Sequence, residues 1–204
     1  KMDTVGPPLK NVEIRIAEDG EILVRGELVM KGYWRHPAQT ERTIVNGWLH
    51  TGDIGHIDEA GRLVITDRKK DLIVLDKGDN VAPQRVEGML TLQPEIVQAM
   101  VVGDRRPYLV GVIVPDPEWT AEWAQAHGNA NDAALRDDPG YQRAVSEAVG
   151  RVNSGLSVIE KVRRFILAHE PFTVENEQLT PSTKIRRHVL KQVYGDRLDA
   201  LYRR

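Results

Sequence analysis

Three short polar segments of the 204-residue chain contain the residue types that could take part in chemistry. The first is GWLHTGD, which ends at Asp53. The second is DRKKD at positions 67–71, followed shortly by KGDN at 77–80. The third is LTPSTKIRR at 179–187, in which Lys184 precedes two arginines. A carboxylate, a set of cations and a glycine-containing loop are therefore the groups that need an explanation.

Asp53 follows a threonine and a glycine, and two interpretations of it compete. Glycine and aspartate are common turn residues, so an aspartate that only shapes a turn is the simpler interpretation. An ionised carboxylate also accepts hydrogen bonds on both oxygens, which suits a ligand that carries neighbouring hydroxyl groups. The residues alone leave both interpretations open.

The cationic segments also have ordinary explanations. A run of charges such as DRKKD usually forms a solvated face, and a lysine before a helix, such as Lys184 with its two arginines, is usually surface charge. The predicted structure changes from β-rich to mixed α and β at about 68–70, so the run is equally well explained as a domain linker. The KGDN loop could be a plain turn, because Gly78 allows backbone conformations that other residues resist.

Most familiar catalytic signatures are missing from the sequence. It contains no phosphate-binding GxxxxGK[ST], no GxGxxG, no HExxH and no GxSxG. It has no cysteine, and its 6 histidines are not spaced as metal ligands. We therefore predict surface or loop histidines, no metal site, and no catalytic centre that this chain could form alone.

Composition narrows the class of protein further. Hydrophobic residues make up 41% of the chain and charged residues 28%, which is ordinary for a globular protein. The net charge of −2 and the scarcity of aromatic residues near the basic segments argue against nucleic acid. No apolar run reaches the ~18 residues of a membrane span, and no signal peptide is recognisable. The start, which lacks a methionine, indicates a fragment of a longer protein, for which we expect a cytoplasmic location.

The first third of the chain has the pattern of β-structure. Val12, Ile14 and Ile16 alternate with charged residues, and after an Asp-Gly turn the segment 21–25 continues as a second strand, which predicts a hairpin. Short strands are also predicted at 48–50, 55–57 and 63–65, with a turn at 58–61 between the last two.

The rest of the chain mixes both element types. A strand at 72–75 precedes a helix from Pro83 to about Leu92, and a second hairpin is predicted from 96–102 and 109–114. Helical spacing then puts apolar residues on one face at Val145, Ala148, Val149, Val152 and Leu156. A strand at 164–167 and a tail helix, with Val189, Leu190, Val193 and Tyr194 on one side, complete an α+β fold.

In this order and at these separations, the three polar segments resemble the C-terminal motifs of the superfamily that contains acyl-CoA synthetases, peptide-synthetase adenylation domains and luciferases. The resemblance runs from VGPP at 5–8 to the end of the chain. Asp67 before Arg68, and Thr183 before Lys184, replace glycines of the usual pattern, and these departures resemble long-chain fatty acyl-CoA synthetases. The resemblance implies the β-rich end of an adenylation domain at 1–69 and a mobile α+β lid at 70–204.

The resemblance also implies a role for five residues. Asp53 would bind the ribose hydroxyls of ATP or of the acyl-adenylate, and Arg68 would contact the same ribose. Lys70 would be the hinge about which the lid rotates. The loop around Gly78 would line the tunnel for CoA, and Lys184 would be the catalytic lysine of adenylation.

The implied reaction uses ATP and CoA with a fatty acid, together with Mg²⁺ whose ligands would lie outside this chain. The chain alone is then expected to be inactive. Two alternatives remain. In the first, the enzyme transfers the acyl group to a carrier protein or stops at the adenylate. In the second, the chain is a non-catalytic module whose basic patches bind an acidic partner. Acyl-chain length, oligomeric state and peripheral membrane contact are left open.

Overall fold

The computed structural model describes residues 4–128 and 135–203. The chain packs into two compact units, one that ends at Leu72 and one that begins at Ile73. Strands dominate the first unit, and the second combines a small sheet with helices, so the α+β class predicted from the sequence is confirmed. The assignment of 1–69 and 70–204 to an adenylation domain and a lid stays a prediction.

The first unit is an antiparallel sheet of five strands in the order β1-β2-β4-β3, with β5 paired to β4. Its elements are β1 (Val12–Ile16), β2 (Glu21–Gly26), helix α1 (Pro37–Thr43), β3 (Ile44–Val45), β4 (Trp48–Ile57), β5 (Leu63–Arg68) and a 3₁₀ turn (Lys69–Asp71). The predicted hairpin of β1 and β2 is confirmed, with Val12 opposite Gly26.

The prediction of separate strands at 48–50 and 55–57 is wrong, because β4 runs through both as one strand of 10 residues. The strand could not be recognised across Gly52 and Gly55, since glycine is rare in strands and interrupts their apolar pattern. Gly52 has a φ of +72°, and the pairing with β5 shifts between Ile54 and Gly55. A Cβ at Gly55 would lie 2.2 Å from the Val64 carbonyl oxygen, so the close approach of β5 requires glycine there.

The second unit contains a three-stranded sheet in the order β10-β9-β8 and a separate two-stranded hairpin of β6 and β7. Its strands are β6 (Ile73–Val74), β7 (Asn80–Val81), β8 (Ile96–Val102), β9 (Leu109–Pro115) and β10 (Val162–Leu167). Its helices are α2 (Pro83–Leu90), α3 (Pro117–Ala126), α4 (Pro139–Ser154) and α5 (Arg187–Ala200). Strand β8 is antiparallel to β9, whereas β10 is parallel to it.

Strand β9 lies at the centre of the core because both of its faces are covered. Leu109 and Ile113 pack in a cluster with residues of α2 and α4. Val110 and Val112, which point to the opposite face, pack in a second cluster with residues of α5. This double burial explains why β9 is apolar at nearly every position, as is usual for strands covered on both sides.

The predicted helix face agrees with the structure in α4 and at two of four residues in α5, where Val189 is only partly buried. The apolar face of α4 is buried as expected, and Leu156, just after the helix, is buried as well. In α5, Leu190 and Tyr194 are buried with Leu198, but Val193 is 53% exposed. The buried stripe follows every fourth residue, and this spacing carries Val193 away from the core.

Candidate functional site

Two of the predicted site residues lie side by side in the first unit. The antiparallel pairing of β4 and β5 sets Asp53 opposite Arg68. The Arg68 Nε atom lies 2.8 Å from Asp53 Oδ1, and the two side chains are 53% and 24% exposed respectively. A carboxylate and a guanidinium group thus stand together at an accessible point of the sheet, where they can meet a ligand that both donates and accepts hydrogen bonds.

The backbone that carries Asp53 is held by side chains rather than by regular strand pairing alone. The Asp53 N–H donates to Thr51 Oγ1 over 3.1 Å, and the Thr51 hydroxyl donates to the Ile22 carbonyl over 2.7 Å. The Gly52 N–H donates to Glu21 Oε1 over 2.9 Å. These bonds attach the bulged part of β4 to β2 and so define the position of Asp53.

Glu21 is a buried carboxylate, 4% exposed, that joins three parts of this unit. Besides the Gly52 N–H, it accepts a hydrogen bond from Lys69 Nζ at 2.9 Å, and His50 Nδ1 lies 3.0 Å from the same oxygen, Oε2. Burial alone would raise the pKa of Glu21, but the bonds from Lys69, His50 and Gly52 outweigh it and lower that pKa. His50 therefore lies in a half-buried network on a strand, contrary to the prediction of a surface or loop histidine.

Lys69 is tied to the first unit by a second carboxylate as well. Its ammonium lies 2.6 Å from Asp19 Oδ2 in addition to its bond with Glu21. The hydrogen bonds that Lys69 donates, first to Asp19 and then to Glu21, raise the pKa of Lys69. Lys70, the predicted hinge residue, follows in a 3₁₀ turn that has no buried residue. Asp67, by contrast, is buried, so the charge run is not a uniformly solvated face.

Gly78 lies in the tight loop between β6 and β7. The Gly78 N–H donates to the Leu75 carbonyl over 3.0 Å, and the Leu75 N–H donates to the Asp79 carbonyl over 2.9 Å. The φ of Gly78 is +88°, and no atom lies within 4 Å of a Cβ built there, so conformation is the reason for glycine. The loop borders a cleft of about 530 Å³, whose lining includes Lys77 and Arg163.

Lys184 lies at the end of a second tight loop, and its side chain is exposed. Leu179 and Ile185 form an antiparallel bridge at the base of the loop, which we call the Lys184 loop and define as residues 179–185. The Thr180 N–H donates to the Lys184 carbonyl over 2.8 Å, and the Thr183 N–H donates to the Thr180 carbonyl over 2.8 Å. The Lys184 N–H donates to Thr180 Oγ1 over 3.0 Å.

The two loops have the same construction, a β-turn followed by one residue in the left-handed region. Gly78 occupies this position in the first loop and Thr183, with a φ of 60°, in the second. Three-residue hairpin loops commonly place glycine at this point. The resemblance leads one to expect a glycine before Lys184, and this glycine would have a conformational reason. Thr183 adopts the same left-handed conformation although it is β-branched, which is rare.

Sequence reasoning missed two buried carboxylates that hold these segments, Glu21 and Glu87. Glu21 bonds with Lys69, 48 positions away, and Glu87 bonds with Arg187, 100 positions away. Neither partner can be inferred from local periodicity. Arg187 is also half-buried and paired, so the solvated basic patch considered for its segment is wrong at this residue.

The structure thus brings Asp53 and Arg68 together, with Lys70 close by in sequence, while Gly78 and Lys184 lie in the second unit. Within residues 4–128 and 135–203, no three histidine, aspartate or glutamate side chains are grouped closely enough to hold a metal ion. None of the helices in the described ranges is long and apolar enough to cross a membrane.

Comparison with known proteins adds an independent set of observations. The sequence profile described as the AMP-binding enzyme C-terminal domain matches residues 70–204. The chain is 40% identical over 205 residues to the long-chain-fatty-acid–CoA ligase FadD15 of Mycobacterium tuberculosis, covering 99% of the chain and 34% of that protein. It is 36% identical over 214 residues to human long-chain-fatty-acid–CoA ligase 6, covering 97% of the chain and 31% of that protein. The chain therefore spans about a third of the length of these relatives.

Solved structures show the same similarity. The adenylation domain of a carboxylate reductase from Mycobacterium chelonae superposes with a TM-score of 0.75 at 29% identity, covering 96% of this chain and 31% of that one. The didomain of adenylation and carrier modules from the carboxylic acid reductase of Segniliparus rugosus, in complex with AMP, superposes with a TM-score of 0.72 at 27% identity, covering 97% and 28%. The solved structures therefore match almost the whole chain, as the sequence relatives do.

Proposed function

Because this chain belongs to the AMP-binding enzyme C-terminal domain family of the adenylate-forming superfamily, we propose that the protein carrying it is an AMP-forming long-chain fatty acid–CoA ligase. The observation that supports a nucleotide site best is the 2.8 Å pair of Asp53 and Arg68. The similarity to named long-chain ligases, which extends over 99% of the chain, supports the choice of substrate class.

In the first half-reaction, the carboxylate of the fatty acid attacks the α-phosphorus of ATP, which yields an acyl-adenylate and pyrophosphate. Two anions must approach each other, and Lys184 offsets their repulsion with a cation near the developing charge. At about 4 Å and an effective dielectric constant of about 20, one such charge pair contributes roughly 4 kcal/mol before desolvation. A single lysine is therefore sufficient for a large effect on rate.

Asp53 and Arg68 hold the nucleotide during both steps. Asp53 accepts hydrogen bonds from the ribose hydroxyls of ATP and then of the acyl-adenylate. Arg68 orients this carboxylate through its Nε bond, and its exposed guanidinium contacts the same sugar. The bonds that fix the backbone at Thr51 and Gly52 support this role, because they keep the carboxylate in one place.

In the second half-reaction, the thiol of CoA attacks the mixed anhydride and releases AMP. This step needs a different surface over the same site, and we assign the change to rotation of the second unit about Lys70. The Gly78 loop then borders the CoA tunnel in place of Lys184. The short 3₁₀ turn without buried residues supports a hinge here, because few packing contacts oppose a change of its backbone angles.

Transfer of the acyl group to a carrier protein is a second candidate, supported by the similarity to a reductase didomain that contains a carrier module. The higher identity to the CoA ligases favours free CoA. A non-catalytic module that binds acidic partners has less support, since Arg68, Lys69 and Arg187 are already paired with carboxylates of the chain.

The experiment that tests this function measures AMP release by the full-length protein with fatty acids of increasing chain length, with and without CoA. We expect CoA-dependent release with a long-chain preference. Lys184→Ala should reduce it by about 100- to 1000-fold, the equivalent of losing roughly 3–4 kcal/mol of charge stabilisation. Lys191→Ala, an exposed lysine on α5, is the matched control and should leave the rate unchanged.

Each other outcome has a definite meaning. Activity that survives Lys184→Ala would show that this lysine is not the adenylation cation. Adenylate formation that requires a carrier protein in place of CoA would establish the second candidate. A protein that adenylates no fatty acid acts on another carboxylate or binds without catalysis, and the ligase assignment is then wrong.

A further inference from the structure

We propose that Arg187 and Glu87 are positioning residues of adenylation, which act by holding the Lys184 loop and do not touch substrate. This inference rests on the proposed function, since it assigns Lys184 to the first half-reaction. The observations behind it are the contacts that attach the loop to the second unit, and they come from helices and strands far apart in the sequence.

Arg187, the first residue of α5, lies three positions after Lys184. Its Nη2 donates to Glu87 Oε2 over 2.5 Å, and its Nη1 donates to the Val101 carbonyl over 3.1 Å. The other oxygen of Glu87, Oε1, accepts a hydrogen bond from the Val101 N–H over 2.8 Å. Helix α2, strand β8 and the start of α5 are thus joined in one closed ring of hydrogen bonds.

The ring lies at an edge of the sheet. In the described sheet, β8 pairs with β9 on one side only. The N–H and carbonyl of Val101 bond with side chains of α2 and α5, which satisfy polar groups that an edge strand otherwise leaves unpaired. The Glu87 and Arg187 side chains are 9% and 21% exposed, so water competes little for these bonds.

The start of α5 also bonds with the residues just before the Lys184 loop, since the Arg186 N–H donates to the Gln178 carbonyl over 2.9 Å and its Nη1 donates to the Glu177 carbonyl over 3.2 Å. Its N-cap residue, Arg186, makes no side-chain capping bond. A cation at a helix N-terminus is disfavoured by the helix dipole, so Arg187 stands where charge alone would not place it. Its pairing with Glu87 resolves this conflict. The consequence is that the ion pair ties the start of α5, and with it the end of the Lys184 loop, to α2 and β8.

Stability alone is a weak reason for such a pair. A well-packed apolar pair of similar volume is often as stable as a buried ion pair, or more stable. Fixed geometry is the property that the fork of arginine and the two oxygens of glutamate provide. A misplacement of a catalytic group by about 1 Å can cost about 100-fold in rate, so a rigid base for the loop has a direct kinetic value.

The test uses the full-length protein and measures the two half-reactions separately. Adenylation is followed by fatty-acid-dependent exchange of pyrophosphate into ATP, and thioester formation by the reaction of added acyl-adenylate with CoA. We expect Arg187→Met to lower the exchange rate by about 30- to 100-fold and to leave the thioester step within about 2-fold. Glu87→Gln should behave alike, and Arg187→Lys should recover part of the exchange rate.

Arg151→Met is the matched control, since it removes an arginine that also holds a glutamate with two bonds in the same unit, Glu95. It should leave both half-reactions unchanged. If Arg187→Met does not fold, Glu87→Gln and Arg187→Lys still decide the matter, because both keep a polar side chain of similar length and remove only one acceptor of Glu87 or the fork of Arg187. An equal fall of both half-reactions would mean a purely structural role and would overturn the inference, as would an unchanged exchange rate.

The variants distinguish a failure of the positioning role from a failure of the proposed ligase function. If the wild type shows no exchange with any fatty acid, the ligase assignment fails and the inference fails with it. If Lys184→Ala abolishes exchange while Arg187→Met and Glu87→Gln retain it, the function stands and only the positioning role is lost.

Discussion

At the scale of single residues, Thr183 shows most directly how backbone conformation and chemistry meet in this protein. Its φ of 60° places it in the left-handed region, and its N–H closes the turn of the Lys184 loop on the Thr180 carbonyl. A β-branched residue is strained there, at a cost of about 1–2 kcal/mol. The strain is tolerated immediately before the lysine to which we assign catalysis, and it can be removed by substitution.

Substitution of Thr183 therefore tests whether the loop geometry matters for adenylation. Thr183→Gly relieves the strain, and the greater conformational entropy of glycine in the unfolded chain offsets part of this gain. The variant should be more stable than wild type by up to about 1 kcal/mol, with an exchange rate within about 3-fold of wild type. Thr183→Pro forces φ to about −65° and removes the turn N–H, so it should destabilise by more than about 1 kcal/mol and lower exchange. Urea unfolding and pyrophosphate exchange measure the two effects.

Thr183→Ala serves as the intermediate case, because it removes the branch but keeps a Cβ. Its stability should fall between those of the wild type and Thr183→Gly. A proline variant as stable and active as wild type would show that the loop does not depend on the left-handed residue.

At the scale of secondary-structure elements, the Glu21 carboxylate connects β2, β4 and the 3₁₀ turn. It bonds with Gly52 next to Asp53, the proposed nucleotide residue, and with Lys69 next to Lys70, the proposed hinge residue. Asp19 holds the same ammonium. Because Lys69 is fixed to the first unit in this way, the proposed rotation would begin after it, which agrees with the proposed hinge at Lys70.

This network predicts a pH-dependent stability. The pKa of Glu21 is lowered from 4.5 in the folded protein. A carboxyl group with a lowered folded pKa stabilises the protein above its unfolded pKa and loses that contribution as pH falls through the folded value. Glu21→Gln should therefore be less stable than wild type by about 1–3 kcal/mol at pH 7, and this difference should shrink below about pH 4.5.

Urea unfolding of both proteins between about pH 3 and pH 7 measures the effect. Glu13→Gln is the control, since Glu13 is likewise paired with a cation, Arg25, but on the exposed edge of the sheet. Exposed pairs contribute little, so this variant should stay close to wild type. A Glu21→Gln penalty that is the same at both ends of the range would contradict the ionised, buried network.

At the scale of the whole molecule, the two units differ in the size of their cores. Among the described residues, the buried hydrophobic side chains of the first unit are Ile22, Leu23 and Leu63. The second unit has two large clusters, one on each face of β9. Burial of apolar surface is the main favourable term in folding, so the second unit should dominate the stability of this chain.

Hydrogen exchange on the 204-residue chain tests this difference. We expect the amides of β8 and β9 to exchange at the rate of global unfolding, and those of β1 and β3 to exchange at least about 100-fold faster through local opening. Both groups lie in antiparallel pairs, so hydrogen bonding alone does not separate them. Equal protection of the two units would show that they unfold as one.

The sequence by itself determined a large part of this description. Alternation predicted β1 and helical spacing predicted α4, because burial of one face leaves a repeat of two or about four residues. A turn signal predicted β2, apolar runs predicted β8 and β9, and the position of Pro83 predicted the start of α2. It missed α3 despite the Asp116-Pro117 start signal, and it divided β4 at its glycines. The order of the polar segments was enough for the family resemblance, which the comparison over residues 70–204 confirms.

Only the tertiary structure decided which residues meet. The pairing of Asp53 with Arg68, the parallel position of β10 beside β9, and the bonds of Glu21 and Glu87 join residues far apart in the chain. A buried carboxylate has the same letter in the sequence as an exposed one, and its partner is chosen by packing. Periodicity records which face of an element is buried; it carries no information on what lies against that face.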